Sequence, residues 1–220
     1  MPGAMARRRD SGWIWITAAV IGGIVMASVM ALRISGLLGG PGYDLYNIPS
    51  NSMFPSVRLG DYILAFANVY RNEVPPRGQI LVFKYPPDGK TDYIKRVIGL
   101  PGDRVQLRAG RLFINDQLVA REPAPDIEAP YDEKLRIYRE TLPGGVSHLI
   151  AEASDEQELD NTEVFTVPEG SVFVLGDNRD HSSDSRIRDT VGYVPLSLLR
   201  DKPVLVLWSK DLKRIGTEIE

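Results

Sequence analysis

The chain contains no cysteine and only two histidines, His148 and His181. Without thiols it has no disulfide framework, no thiolate zinc site and no cysteine nucleophile. Two histidines are too few for a multi-histidine metal centre. Cationic excess is missing too: Lys+Arg number 26 against Asp+Glu 29, a net charge of −3 at pH 7. Nothing in that balance points to a nucleic-acid partner. What the 220 residues do have is an ordinary globular composition, 43% hydrophobic and 25% charged. That suffices for one sizeable domain or two small ones, and it argues against wholesale disorder.

The first departure from the ordinary is residues 11–32, a run of 22 without a charge. As a helix rising 1.5 Å per residue it would span about 30 Å, the thickness of a bilayer's hydrocarbon. Trp13 and Trp15 stand near one end, where aromatic rings favour the membrane interface. Arg7, Arg8 and Arg9 precede the run and only Arg33 follows at once, so the positive-inside rule assigns residues 1–10 to the cytoplasm. A cleaved signal peptide would need a shorter apolar core and a small-residue cleavage site, which Met30, Ala31, Leu32 and Arg33 do not supply. Residues 11–33 are therefore expected to form a retained transmembrane anchor, with the rest of the chain on the outer face of the cytoplasmic (inner) membrane. Four Arg and one Asp fall in residues 1–33, leaving the remainder at net −6.

Residues 34–44, rich in glycine, read as a juxtamembrane linker. Beyond it come short β-branched and aromatic runs bounded by Gly and Pro: residues 62–66, 80–83, 93–98, 105–107, 112–114, 117–119, 164–167, 172–175 and 204–208. Ala109-Gly110 and Asn115-Asp116 are hairpin signals between three of them. The pattern predicts a mainly β, antiparallel body made of residues 45–120 and 164–220. Residues 121–163 differ, with 12 acidic against four basic residues and no sustained apolar period. They read as an acidic inserted subdomain, solvated and carried on the main body.

Three segments look unlike β-scaffold. Pro49, Ser50, Asn51, Ser52, Met53, Phe54 and Pro55 form the first. Its prolines favour an irregular extended loop, along which two serines one residue apart point the same way. A lone serine in such a loop is more often a turn former. Met53 and Phe54 are candidates for an apolar surface touching lipid, or for groove or core.

The second segment runs from Tyr93 through Lys95 and Arg96 to Gly99, Pro101, Gly102 and Asp103. Period-2 alternation places the adjacent cations on opposite faces, one drawn toward the core, without deciding which. A pair of solvated cations on a strand edge is the commoner arrangement. The third, Gly176, Asp177, Asn178, Arg179, Asp180, His181, Ser182, Ser183, Asp184, Ser185 and Arg186, is a polar loop directly after an apolar strand. Its spacing lacks the alternating acidic run of a calcium loop, and two arginines would repel the ion.

Elimination narrows the chemistry. A Ser-His-Asp triad would have to recruit His148, in the acidic segment, or His181. No serine is followed three residues later by lysine, as β-lactam-recognising enzymes require. A Ser–Lys dyad across two segments stays open, on one condition. At an ordinary pKa only roughly one lysine in a few thousand is neutral at pH 7, so the amine must be buried.

In this order and spacing the three segments resemble the type I signal peptidases, membrane-anchored serine proteases that remove signal peptides from exported proteins. The likeness covers roughly residues 45–105 and 164–210, plus the anchor in kind. The family's Pro-Ser-x-Ser-Met-x-Pro motif matches from Pro49, its Lys-Arg-x-x-Gly-x-Pro-Gly-Asp motif from Lys95, and its Gly-Asp-Asn-x-x-x-Ser-x-Asp-Ser-Arg motif from Gly176. The resemblance implies Ser52 as nucleophile and Lys95 as general base. It implies an oxyanion hole from the Ser52 N–H and the Ser50 hydroxyl, and Ser182 orienting the lysine. Arg96, Asp177, Asp184 and Arg186 would brace the site. It further implies cleavage of the signal-peptide region of secretory preproteins after small residues of Ala-x-Ala type, by a monomer at the bilayer, without metal or cofactor. His181 and Gln79 depart from the family pattern, where Asn and an acidic residue are expected. A conjugative-pilus maturation protease or self-cleaving repressor of the same chemistry, and a non-catalytic anchored binding scaffold, are the alternatives; the span and the third segment disfavour the repressor.

Overall fold

A computed structural model describes residues 42–70, 73–129 and 134–219. The expected cytoplasmic segment 1–10, the anchor 11–33 and most of the linker lie outside the described residues. Among the described residues no helix is long and apolar enough to cross a membrane. The strands, in chain order, are β1 (Tyr43–Asn47), β2 (Tyr62–Phe66), β3 (Ile80–Lys84), β4 (Asp92–Gly99), β5 (Arg104–Arg108), β6 (Arg111–Ile114) and β7 (Gln117–Leu118). They continue with β8 (Ala120–Pro123), β9 (Arg136–Thr141), β10 (Ser147–Glu152), β11 (Phe165–Thr166), β12 (Ser171–Leu175), β13 (Val194–Pro195) and β14 (Leu199–Trp208). The fold is mainly β and antiparallel, as the sequence pattern predicts.

A seven-stranded sheet in the order β1-β2-β14-β3-β4-β12-β13 carries the three unusual segments. β3 and β12 flank β4, so β4 is covered on both sides and its last five residues are buried. The antiparallel register sets Leu175, the end of β12, opposite Arg96. The polar loop that follows β12 is thereby delivered to the two cations of β4. The last strand, β14, begins at Leu199, five residues earlier than the apolar run suggests. Its early residues Arg200, Asp201 and Lys202 look like loop, but Asp201 is buried, accepting hydrogen bonds from Tyr46 and from the Asn68 N–H.

β11, β5, β6 and β7 form a four-stranded sheet. Its two tight turns, Ala109-Gly110 and Asn115-Asp116, have positive φ at both central residues, the geometry whose twist matches paired strands. The remaining sheet, β10-β9-β8, lies within the acidic segment. That segment is not simply solvated: Glu140, Glu152 and Asp160 are buried. Charged residues at inward positions hide the period that would otherwise mark these strands.

Met53 and Phe54 are buried as well, which corrects the expectation of a lipid-facing surface. Met53 packs with Ile48, Val57, Ile63, Ile80 and Val206. Phe54 packs with Leu135, Ile137 and Ala151 of the acidic segment. Each such side chain withdrawn from water contributes roughly 1.5–3 kcal/mol, so the serine segment is anchored from both sides.

Candidate active site

The serine segment is more tightly wound than an extended loop. Phe54 N–H donates to the Asn51 carbonyl at 3.0 Å and Val57 N–H to the Met53 carbonyl at 2.9 Å. Pro55, lacking an N–H, sits in this turn without leaving a donor unpaired. The turn still brings the two serines together, with Ser50 Oγ and Ser52 Oγ 3.2 Å apart. Ser52 is buried and Ser50 exposed.

β4 supplies the amine. Lys95 Nζ lies 2.8 Å from Ser52 Oγ and 2.9 Å from the Ile94 carbonyl oxygen, with the Tyr93 ring centroid 5.6 Å away. Burial is the main influence on this amine and lowers its pKa to about 8; Asp184 and Asp177 draw it back up and Arg186 pushes it down. At pH 7 about a tenth of such amines are neutral, several hundred times the ordinary fraction.

Alternation leads one to expect one buried and one solvated cation, yet both Lys95 and Arg96 are buried. Arg96 turns to the opposite face. Its Nε and Nη2 donate to Asp177 Oδ1 and Oδ2, each at 2.8 Å, and its Nη1 donates to the Gly78 carbonyl at 2.6 Å. Burial is the largest single influence on the Asp177 carboxyl and raises it, but the charge and hydrogen bonds of Arg96, with His148 and the Ser56 hydroxyl, together make the net shift downward. Ser56 Oγ donates to Asp177 Oδ2 at 2.5 Å, tying this pair to the serine turn.

The second pair is internal to the polar loop. Arg186 Nε and Nη2 donate to Asp184 Oδ1 and Oδ2 at 2.8 and 2.9 Å, and Gly176 N–H donates to Asp184 Oδ2 at 3.1 Å. Gly176 has no side chain because there is no room for one: a Cβ would overlap Ser182 Oγ and the Ser52 carbonyl oxygen. Ser182 is thus packed beside the serine, although its buried Oγ is not among the hydrogen-bond partners of the Lys95 amine. Of the two departures, Gln79 Nε2 donates to the Ile80 carbonyl at 2.8 Å, and His181 Nδ1 lies 3.3 Å from Asn178 Oδ1 on the exposed side.

Some contacts were not singled out from the sequence. Asn178 N–H donates to the Ser52 carbonyl, and its Nδ2 donates to the Asn51 carbonyl, both at 3.2 Å. Asn178 stands inside the third segment, so its signal was present. Glu140, which meets Arg179, is one acid among many in its segment and carries no signal at all.

Comparison with known proteins decides the family. The sequence model of the family described as "Signal peptidase, peptidase S26" matches residues 17–208. The chain belongs to that family. Among curated signal peptidase I relatives, that of Pseudomonas aeruginosa is 37% identical over 170 residues, 68% of this chain and 59% of the relative. That of Rickettsia canadensis is 34% identical over 176 residues, 68% of this chain and 66% of the relative. The chain therefore spans slightly less than two thirds of the length of these signal peptidase relatives. A crystal structure of a signal peptidase I from Enterococcus faecalis V583 is 29% identical and aligns with 57% of this chain and 92% of that chain at a TM-score of 0.34. That overlay adds nothing to the fold assignment, which rests on the strands themselves.

Proposed function

We propose that this member of the signal peptidase family is a membrane-anchored serine endopeptidase that removes signal peptides from exported preproteins through a Ser52–Lys95 dyad. The observation that carries the reading is a buried amine, its pKa lowered to about 8, set 2.8 Å from a serine hydroxyl. Neutral Lys95 takes the Ser52 proton as Oγ attacks the scissile carbonyl. The Ser52 N–H and the Ser50 hydroxyl stabilise the oxyanion, and Lys95 returns the proton to the leaving amine, giving an acyl-enzyme. Water, deprotonated by the same amine, then releases the enzyme. Ser182, packed beside Gly176, is the hydroxyl to which the family resemblance assigns the orienting of the amine, and the pairs Arg96–Asp177 and Arg186–Asp184 brace the loop.

The expected substrate is an extended segment with small residues, typically Ala, before the cut, docking by strand addition. A cavity of about 100 Å³ supports this size preference. Its apolar walls include Ile48, Pro49, Ile63, Val82 and Ile94, with Tyr46, Asn47, Asp92 and Tyr93 completing it, and Pro49 and Ile94 adjoin Ser50 and Lys95 in the chain. The reading places the domain on the outer face of the cytoplasmic membrane, acting as a monomer without metal or cofactor.

The test is cleavage of a precursor with an Ala-x-Ala signal end, in detergent, by the parent protein beside Ser52→Ala. Cutting after the final Ala that disappears in the variant supports reaction and nucleophile together. Cutting that survives would move the nucleophile elsewhere.

A further inference from the structure

The polar loop 176–186 supplies the charged groups nearest Lys95, and its middle is gripped from outside the seven-stranded sheet. That grip comes from the sheet β8–β10. Arg179, almost wholly inaccessible to solvent, donates from Nη2 and Nη1 to Glu140 Oε2 and Oε1 at 2.6 and 3.1 Å. Its Nε donates to the Gly176 carbonyl at 3.1 Å, and its own carbonyl accepts from Arg186. Asp180 Oδ2 accepts from the Ala153 N–H at 2.6 Å and the Ser154 N–H at 3.2 Å, just past β10. Ala151 N–H donates to the Asp177 carbonyl at 2.9 Å. On its other side the loop holds the Asn51 and Ser52 carbonyls through Asn178, while Phe54 packs against Leu135, Ile137 and Ala151. The small sheet thus touches both the loop and the serine turn.

We infer that Glu140, Arg179 and Asp180 are positioning residues, through which the β8–β10 sheet holds loop 176–186 in the one placement that seats Ser52 against Lys95. The inference rests on the dyad reading above and deepens it. A buried ion pair is a poor device for stability alone, since apolar residues of similar volume often serve as well. Its planar, two-pronged geometry fixes a distance and an angle, which apolar packing does not. A misplacement of about 1 Å at a reacting group can cost roughly a hundredfold in rate. Lys95 is sensitive to the same placement. Its neighbours are Asp177, Asp184 and Arg186 from the loop, Tyr93 from its own strand and Ser52 from the turn. A loosened loop admits water to the amine and returns its proton affinity toward that of an ordinary lysine.

The test compares the full chain in detergent with Glu140→Gln and Asp180→Ala, which removes the acceptor of the Ala153 and Ser154 N–H groups. Asp180 is only partly buried, so its variant leaves no orphaned buried cation and decides the matter if Glu140→Gln does not fold. The readouts are kcat and KM on the precursor, and the titration of Lys95 followed by its ¹³Cε resonance, assigned by its loss in Lys95→Arg. Expected are a kcat lower by about 10–100-fold, a KM within about twofold, and a Lys95 titration moved upward by about one pH unit. A folded variant with parental kcat and parental Lys95 titration would overturn the inference, as would a raised KM at unchanged kcat. If the parent cuts no precursor, it is the peptidase reading that fails. The titration then decides the brace alone: an unmoved midpoint overturns it and a raised one supports it.

Discussion

Arg96 and Asp177 meet through two parallel contacts of 2.8 Å, each side chain about 1% exposed, while the preceding residue, Lys95, reaches Ser52 from the other face of the same strand. One strand therefore carries the amine that meets Ser52 on one side and the fastening of the polar loop on the other. Removing a single member of the fastening leaves a buried charge without its partner. Arg96→Met or Asp177→Leu alone should cost about 3–5 kcal/mol in urea unfolding, and the double variant should recover most of that. The recovered protein should still turn over slowly, because apolar packing does not hold Ser56 and the loop in place.

Activity should follow the neutral form of Lys95. Its folded-state pKa is lowered, so the competent fraction grows as pH rises. The plot of kcat/KM is expected to climb about tenfold per pH unit below about 8 and to level above it. Lys95→Arg, charged at every accessible pH, should bring turnover below detection while unfolding at a similar temperature.

Ser50 presents the only side-chain hydroxyl hydrogen-bonded to Ser52 Oγ among the described residues. Ser50→Ala should lower kcat by about 10²–10³-fold with little change in KM, as loss of an oxyanion donor does. A large rise in KM at constant kcat would instead make Ser50 a substrate-binding group.

His148 should make the fold sensitive to acid. Its ring is buried, with no hydrogen bond at either nitrogen and Glu140 Oε2 at 3.5 Å. Burial first, and the Arg96 charge second, lower its pKa from 6.5 to about 4. Between those values the unfolded chain takes up a proton that the folded one refuses, so stability falls as pH drops through the window. His148→Leu should flatten this by about 2 kcal/mol between pH 7 and 4.5, measured by urea unfolding at both values.

Legibility tracked local pattern. β2, β3 and β12 stand where short β-branched and aromatic runs place them, and the hairpin turns fall at Ala109-Gly110 and Asn115-Asp116, where Gly, Asn and Asp accept positive φ and Ala109 adopts it in spite of its Cβ. β9 and β10 were hidden because Glu140, His148 and Glu152 occupy inward positions, made tenable by Arg179 and Arg121. Those partners lie elsewhere in the chain, and a window of neighbouring residues does not contain them. The choice between Lys95 and Arg96 was undecidable from alternation for a similar reason. β4 is an interior strand packed on both faces, so both cations are buried and only the partners, Ser52 and Asp177, tell them apart. Resemblance to a family supplied what periodicity did not.

The order of strands has a consequence in time. β2, next to the serine turn, and β3, next to the lysine strand, are not paired with each other; β14 lies between them, and it follows every other strand in the chain. A ribosome must therefore deliver this closing piece before the sheet can join the strand beside Ser52 to the strand beside Lys95. Pairing between the serine side and the lysine side of this sheet is thus completed by the last described strand to leave the ribosome.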